Sequence, residues 1–200
     1  MPATRFLNVP NLISVLRVGT VPAIVILLAS IPRGHPGNLS WDRTASFWAA
    51  FLFGVAAVSD IIDGFLARRF QTVTTFGKFF DPLADKLLTF GALVMLIPLG
   101  RMAAWVVVLL LARELAVTTL RGIASGEGIV MAAGKWGKMK NAFGNVGIPL
   151  VMLHYPHGGI AWASIGWVLF FCSIVLAIWS GGGYLISFFR TMGLRQQMFA

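Results

Sequence analysis

Acidic side chains are scarce in this sequence. Seven Asp and Glu stand against sixteen Lys and Arg, and charged residues of both signs make up only 12% of the chain. A water-soluble domain carries about a quarter charged residues, so the composition excludes an ordinary soluble globule. Cysteine is nearly absent too. The single Cys172 lies in an apolar run, which excludes an internal disulfide and leaves it the role of a small hydrophobe. The three histidines and this one cysteine form no metal-ligand spacing.

What is abundant is apolar: 58% of the 200 residues are hydrophobic. A spanning helix needs roughly 20 mostly apolar residues, and six stretches qualify, at about 11–31, 45–65, 82–99, 103–124, 141–155 and 160–189. The fifth is the shortest and weakest. The first follows Arg17 and ends near small residues, as a cleaved leader does. No small-x-small cleavage site precedes a soluble domain, however, so it reads as a span. The expected fold is an all-α integral membrane protein of six transmembrane helices, forming a single domain over 1–200. Residues 1–7 read as an interfacial helix or a disordered lead-in.

With six spans both ends share one side. Thirteen of the sixteen Lys and Arg fall on that side, and only Arg33, Arg43 and Arg101 on the other. The positive-inside rule therefore places both termini in the cytoplasm. Trp41, Trp48, Trp105, Tyr155 and Trp162 fall near the outer ends of spans, where amphipathic rings prefer to sit. The formal net charge of +9 also attracts anions, whether lipid headgroups or phosphorylated substrates. Nucleic-acid binding is excluded because most of the basic residues lie between long apolar segments. The short connection around Gly100 makes the third and fourth helices antiparallel neighbours. The glycines Gly181, Gly182 and Gly183 predict a break or thinning of the last helix.

Four of the seven acidic residues, Asp60, Asp63, Asp81 and Asp85, fall within 26 positions at the ends of two apolar helices. Ionised groups there are costly and usually functional. The i, i+3 and i, i+4 spacings put each pair on one helix face. Four carboxylates sharing a small site need cations to neutralise them, and oxygen donors alone suit Mg²⁺ or Mn²⁺, with two ions plausible. Gly64 and Ala67 extend the first stripe and leave the helix face bare beside the aspartates. Arg68 follows one turn after Gly64, and Gly77 extends the facing stripe. An ion carrier would place such carboxylates near the bilayer midplane, whereas these lie at the cytoplasmic ends of their helices.

The pattern Asp60-x-x-Asp63-Gly64-x-x-Ala67-Arg68, eight residues, then Gly77-x-x-x-Asp81-x-x-x-Asp85 resembles the signature of the CDP-alcohol phosphatidyltransferase family at every defined position. The resemblance implies a cytoplasm-facing active site in a bacterial-type inner (plasma) membrane. It implies Asp60, Asp63 and Asp81 as metal ligands, and Asp85 as general base that also touches metal. Asp63, Gly64, Ala67, Arg68 and Gly77 would line the site of the CDP-activated lipid, and a homodimer is a family expectation. In such chemistry an acceptor hydroxyl attacks the lipid-side phosphorus and CMP leaves.

For an acceptor that is itself phosphorylated, a second anion site is needed. Arg113 and Glu114 interrupt the fourth span, Arg121 follows near the same face, and Lys135, Lys138 and Lys140 precede the fifth. The lysines read equally well as positive-inside bias, and Arg113 as a partner for a motif aspartate. Residues 74–86 with Arg113-Glu114 and Leu120-Arg121 resemble the branch that takes CDP-diacylglycerol and glycerol 3-phosphate. The second half of that run is shared with branches taking phosphatidylglycerol. Asn8-x-Pro10-Asn11-x-x-Ser14-x-x-Arg17 resembles the family's amphipathic entry, with Ser where Thr is usual. Gly137-Lys138-x-Lys140-Asn141 carries Asn where that branch has Thr. Phosphatidylglycerol or inositol phosphate remains the alternative acceptor. His154 and His157 read as interfacial rather than catalytic.

Overall fold

The computed structural model describes residues 9–32, 39–70, 75–126 and 134–199, with the side chains of 9–14, 61–79 and 192–199 outside the description. Residues 1–7, expected as an interfacial lead-in, lie outside it as well. Among the described residues six helices follow one another: α1 (Val9–Ala29), α2 (Leu39–Phe70), α3 (Thr75–Leu96), α4 (Ala104–Gly126), α5 (Lys135–Leu153) and α6 (Trp162–Phe199). Among the described residues the only extended pairing is an isolated bridge between His157 and Ile160.

Each helix overlaps one apolar stretch, but α2, α3, α5 and α6 run well past theirs. Hydropathy marks only the apolar part, whereas the i→i−4 hydrogen bonds continue through polar residues as long as propensity allows. The extensions hold the interesting chemistry: 66–70 of α2, 75–81 of α3 and 135–140 of α5. Pro22, Pro82 and Pro149 lie inside helices, a pattern tolerated in membrane helices where neighbours satisfy the freed carbonyls.

Helix α1 packs against both α2 and α3, while α2 and α3 barely touch each other. Helices α5 and α6 form the most extensive pair, and glycine explains their closeness. A Cβ on Gly147 would lie 2.7 Å from the Phe170 backbone nitrogen, and one on Gly166 would lie 2.6 Å from that of Val151. Backbones meet here with no side chain between them, the small-residue packing that membrane helices use. Ile24, Leu28, Phe53, Leu93, Ile148 and Phe170 fill the core between helices.

The α3–α4 turn is short, as expected, and Gly100 takes a left-handed φ of 67°. Helix α4 nevertheless leans mainly on α6. Arg101 in that turn is buried, donating to Ser46 Oγ at 2.8 Å and to the Met152 carbonyl at 3.1 Å beneath the Tyr155 ring. It pins the far end of the bundle. His157, with its ring against Phe47 and its carbonyl accepting from Trp162 Nε1, belongs to that same end.

One expectation fails. Helix α6 is continuous through Gly181, Gly182 and Gly183. Three glycines cost helix propensity, but the flanking apolar residues carry the helix across, and Gly181 has a packing reason described below.

The outward faces are apolar: Ile26, Trp105, Val108, Val168, Trp179, Ile186 and Phe189 are all exposed. Among the described residues one helical stretch, Trp162–Thr191, is long and apolar enough to cross a membrane, with a shorter apolar helix at Val15–Ala29. Only 28% of the apolar window in Trp162–Thr191 is buried within the protein. A soluble protein's core helix would be mostly covered, whereas this one leaves most of its apolar surface exposed.

Candidate active site

The two carboxylate-bearing helices are brought together through a third element. Helix α1 lies between α2 and α3, and its Arg17, only 2% exposed, donates from Nη1 to Asp60 Oδ1 at 2.5 Å. Asp60 keeps 40% of its side chain exposed beside that contact. On α3, Asp81 is exposed and Asp85, one turn further in, is partly buried. Asp85 stands in the fields of two other carboxylates, Asp60 and Glu114, and of two cations, Arg17 and Lys140. The structure thus relates Asp60 to Asp85 across α1. Asp63, Gly64, Ala67 and Arg68 fall on α2 and Gly77 on α3, but their side-chain surroundings lie outside the described residues.

The donor set of these helices is oxygen only, with one Asp60 oxygen engaged by Arg17 and both Asp60 and Asp81 open to solvent. That chemistry fits a hard divalent cation. Among the described residues, no three potential ligands are already gathered around one point.

Asp85 lines a cavity of about 60 Å³ between α3, α4, α5 and α6, together with Lys86, Arg113, Glu114, Lys140, Asn141 and Asn145. Its deeper wall is apolar, formed by Phe90, Leu93, Ile148 and Phe170. A second cavity of about 110 Å³ adjoins it and is lined by Arg113, Glu114, Thr118, Arg121, Lys138, Lys140 and Tyr184. The two share Arg113, Glu114, Lys140 and Asn141. Arg113, Arg121 and Lys138, expected to hold an acceptor phosphate, therefore face one space together with Lys140. Lys135 is exposed at the first position of α5 and lines neither cavity.

Arg113 is held on every nitrogen. Nε donates to the Ala177 carbonyl at 2.9 Å, Nη2 to Ser180 Oγ at 2.7 Å and Nη1 to Glu114 Oε2 at 2.9 Å. It is anchored to α6 and to its neighbour rather than to a motif aspartate. Gly181 makes the room: a Cβ there would come 3.2 Å from Arg113 Nε. Lys140 Nζ meets the same Glu114 oxygen at 2.8 Å, so Glu114 bridges α4 to α5. On the α3 side, Lys86 Nζ donates to Thr118 Oγ1 at 2.7 Å.

Of three further participants, two were not legible as site residues. Glu114 bears a charge within an apolar span, which was a signal of its own. Tyr184 and Ser180 carried none, because α6 meets α4 only in the folded chain.

A family model described as CDP-alcohol phosphatidyltransferase matches residues 7–179. The chain belongs to that family. It is 39% identical over 150 residues to the CDP-diacylglycerol–glycerol-3-phosphate 3-phosphatidyltransferase of Bacillus subtilis, covering 74% of this chain and 77% of the relative. It is 37% identical over 190 residues to a probable phosphatidylglycerophosphate synthase of Mycobacterium tuberculosis, covering 94% and 85%. A further CDP-diacylglycerol–glycerol-3-phosphate 3-phosphatidyltransferase, from Escherichia coli, is 35% identical over 184 residues, covering 89% and 93%.

Proposed function

We propose that this chain transfers the phosphatidyl group of CDP-diacylglycerol to glycerol 3-phosphate, giving phosphatidylglycerophosphate and CMP. The observation that carries the acceptor is the adjacency of the two cavities. A carboxylate, Asp85, lines one and a cluster of cations lines the other, with Arg113, Glu114, Lys140 and Asn141 common to both. A small molecule with a phosphate at one end and a hydroxyl at the other suits that arrangement. The names of the relatives point the same way.

The acceptor phosphate is held by Arg121 and Lys138, with Lys140 beside them, through charge-assisted hydrogen bonds. Arg113 is braced by α6 and orients Glu114, which in turn fixes Lys140. Lys135 adds charge at the mouth. Asp85 accepts the proton of the attacking hydroxyl, a role worth roughly 10²–10⁴-fold in rate. The phosphatidyl–oxygen bond to CMP breaks as the bond to the acceptor oxygen forms, and no covalent enzyme intermediate is required. Asp63, Gly64, Ala67, Arg68 and Gly77 bind the CDP-activated lipid. Asp60, Asp63, Asp81 and Asp85 would hold Mg²⁺ or Mn²⁺, two ions in all. When bound, these ions neutralise charge on the pyrophosphate and the departing CMP.

The same reading makes the chain a six-span, single-domain protein of a bacterial-type plasma membrane, a homodimer with both termini and the active site on the cytoplasmic side. Six helices with apolar outward faces support it, as does the thirteen-to-three distribution of basic residues.

The test is an acceptor panel. Purified protein in mild detergent receives CDP-diacylglycerol and, separately, glycerol 3-phosphate, inositol phosphate or phosphatidylglycerol, and the lipid product is identified by mass. Product with glycerol 3-phosphate alone is expected. Product only with another alcohol would keep the chemistry and overturn the acceptor.

A further inference from the structure

The cation-lined cavity has an aromatic member that the acceptor chemistry does not by itself require. Tyr184 on α6 carries the Arg121 guanidinium of α4 over its ring, 4.5 Å from carbon Cζ to the centroid, and its hydroxyl accepts from Arg121 Nη2. The same hydroxyl accepts the Gly134 backbone N–H at 3.0 Å, immediately before α5. Gly137, the third residue of α5, lies beside this hydroxyl: a Cβ there would meet it at 3.8 Å, an ordinary van der Waals contact. One side chain thus ties α4, α6 and the start of α5 together at the edge of a phosphate-sized space. Arg121 Nε, by contrast, is buried with no hydrogen-bond partner among the described residues. A buried donor left unpaired is costly, and an anion seated in this cavity would relieve that cost.

We propose that Tyr184 is a positioning residue for acceptor specificity: its ring and hydroxyl fix the Arg121 guanidinium so that the cavity receives a phosphomonoester. A flexible arginine would lose conformational freedom on gripping a phosphate, whereas one already stacked and hydrogen-bonded loses less. Tyr184 lines the cationic cavity and not the one that Asp85 lines, so its effect belongs in acceptor binding and not in the chemical step. The inference rests on the reading above that the acceptor is phosphorylated.

The experiment compares wild type with Tyr184→Phe, which keeps the ring and loses the hydroxyl, and Tyr184→Leu, which loses both. Two readouts are taken: KM and kcat for both substrates, and calorimetric titration of inorganic phosphate into the detergent-purified protein. Tyr184→Phe is expected to raise KM for glycerol 3-phosphate about tenfold, the loss of one hydrogen bond to a charged group. KM for the CDP-lipid and kcat should stay within about twofold. Tyr184→Leu should raise KM further, and phosphate affinity should fall in the same order. Unchanged KM and phosphate affinity in Tyr184→Phe, even with lowered thermal stability, would show a merely structural role and overturn the inference. So would a wild type that binds no phosphate. If wild type rejects glycerol 3-phosphate yet phosphate affinity falls across the series, the acceptor reading fails and the role of Tyr184 stands.

Discussion

Arg17 Nη1 and Asp60 Oδ1 lie 2.5 Å apart, joining α1 to α2 from a guanidinium that is almost completely buried. Its charge also reaches Asp85 on α3, so one arginine acts on a carboxylate of each helix. The partly exposed Asp60 limits what the pair adds to stability. Arg17→Gln should therefore cost only about 1 kcal/mol in thermal unfolding. Its larger effect should be on activity: Asp60 would lose the group that orients it, and CMP release should fall at least about tenfold. A variant with full activity would remove Arg17 from the site.

The glycines of α6 separate by what they face. Gly181 lies against Arg113, whereas nothing is within 4 Å of a Cβ at Gly182. Gly181→Leu should push Arg113 off the Ala177 carbonyl and Ser180, lowering acceptor turnover at least about tenfold. Gly182→Ala should leave activity unchanged and stabilise the helix by up to about 1 kcal/mol. Equal effects of the two on CMP release would contradict the assigned geometry.

The α5–α6 crossing should be the most sensitive packing contact. Gly166→Ala places a methyl 2.6–2.8 Å from backbone and side-chain atoms at Leu150 and Val151, so the helices must separate. Overpacking of this kind costs about 1–3 kcal/mol, read as a lower unfolding temperature in detergent. Gly122→Ala on α4 is the control, because nothing lies within 4 Å of its Cβ position.

Much of this was legible in the sequence, and what was not has a physical reason. The aspartate spacing placed Asp81 and Asp85 on one face of a helix without any tertiary knowledge, because an α-helix repeats every 3.6 residues. The six helices were legible because their apolar stretches are long. Their ends were not, since α2 and α5 continue into polar residues that hydropathy does not mark. The wedge of α1 between α2 and α3 was invisible for another reason: Arg17 and Asp60 are 43 positions apart, and no local pattern encodes which helices touch. The triple glycine misled because a weak helix former was read as a breaker. At Gly181 the missing side chain instead leaves space for Arg113.

Removing divalent ions tests the donor set. Dialysis against EDTA should abolish CMP release, and Mg²⁺ or Mn²⁺ should restore it while Ca²⁺ restores it poorly, because its coordination is larger and looser. Activity that survives exhaustive chelation would show that the four aspartates do not work through a metal.

The central claim is that Asp85 activates an acceptor whose phosphate lies in the adjoining cationic cavity. The most direct measurement is CMP release from CDP-diacylglycerol with and without glycerol 3-phosphate, for wild type and Asp85→Asn, both checked for intact folding. The account predicts release that depends on glycerol 3-phosphate and falls by about 10²-fold or more in the variant. Release that ignores glycerol 3-phosphate, or an Asp85→Asn protein as active as wild type, would contradict it.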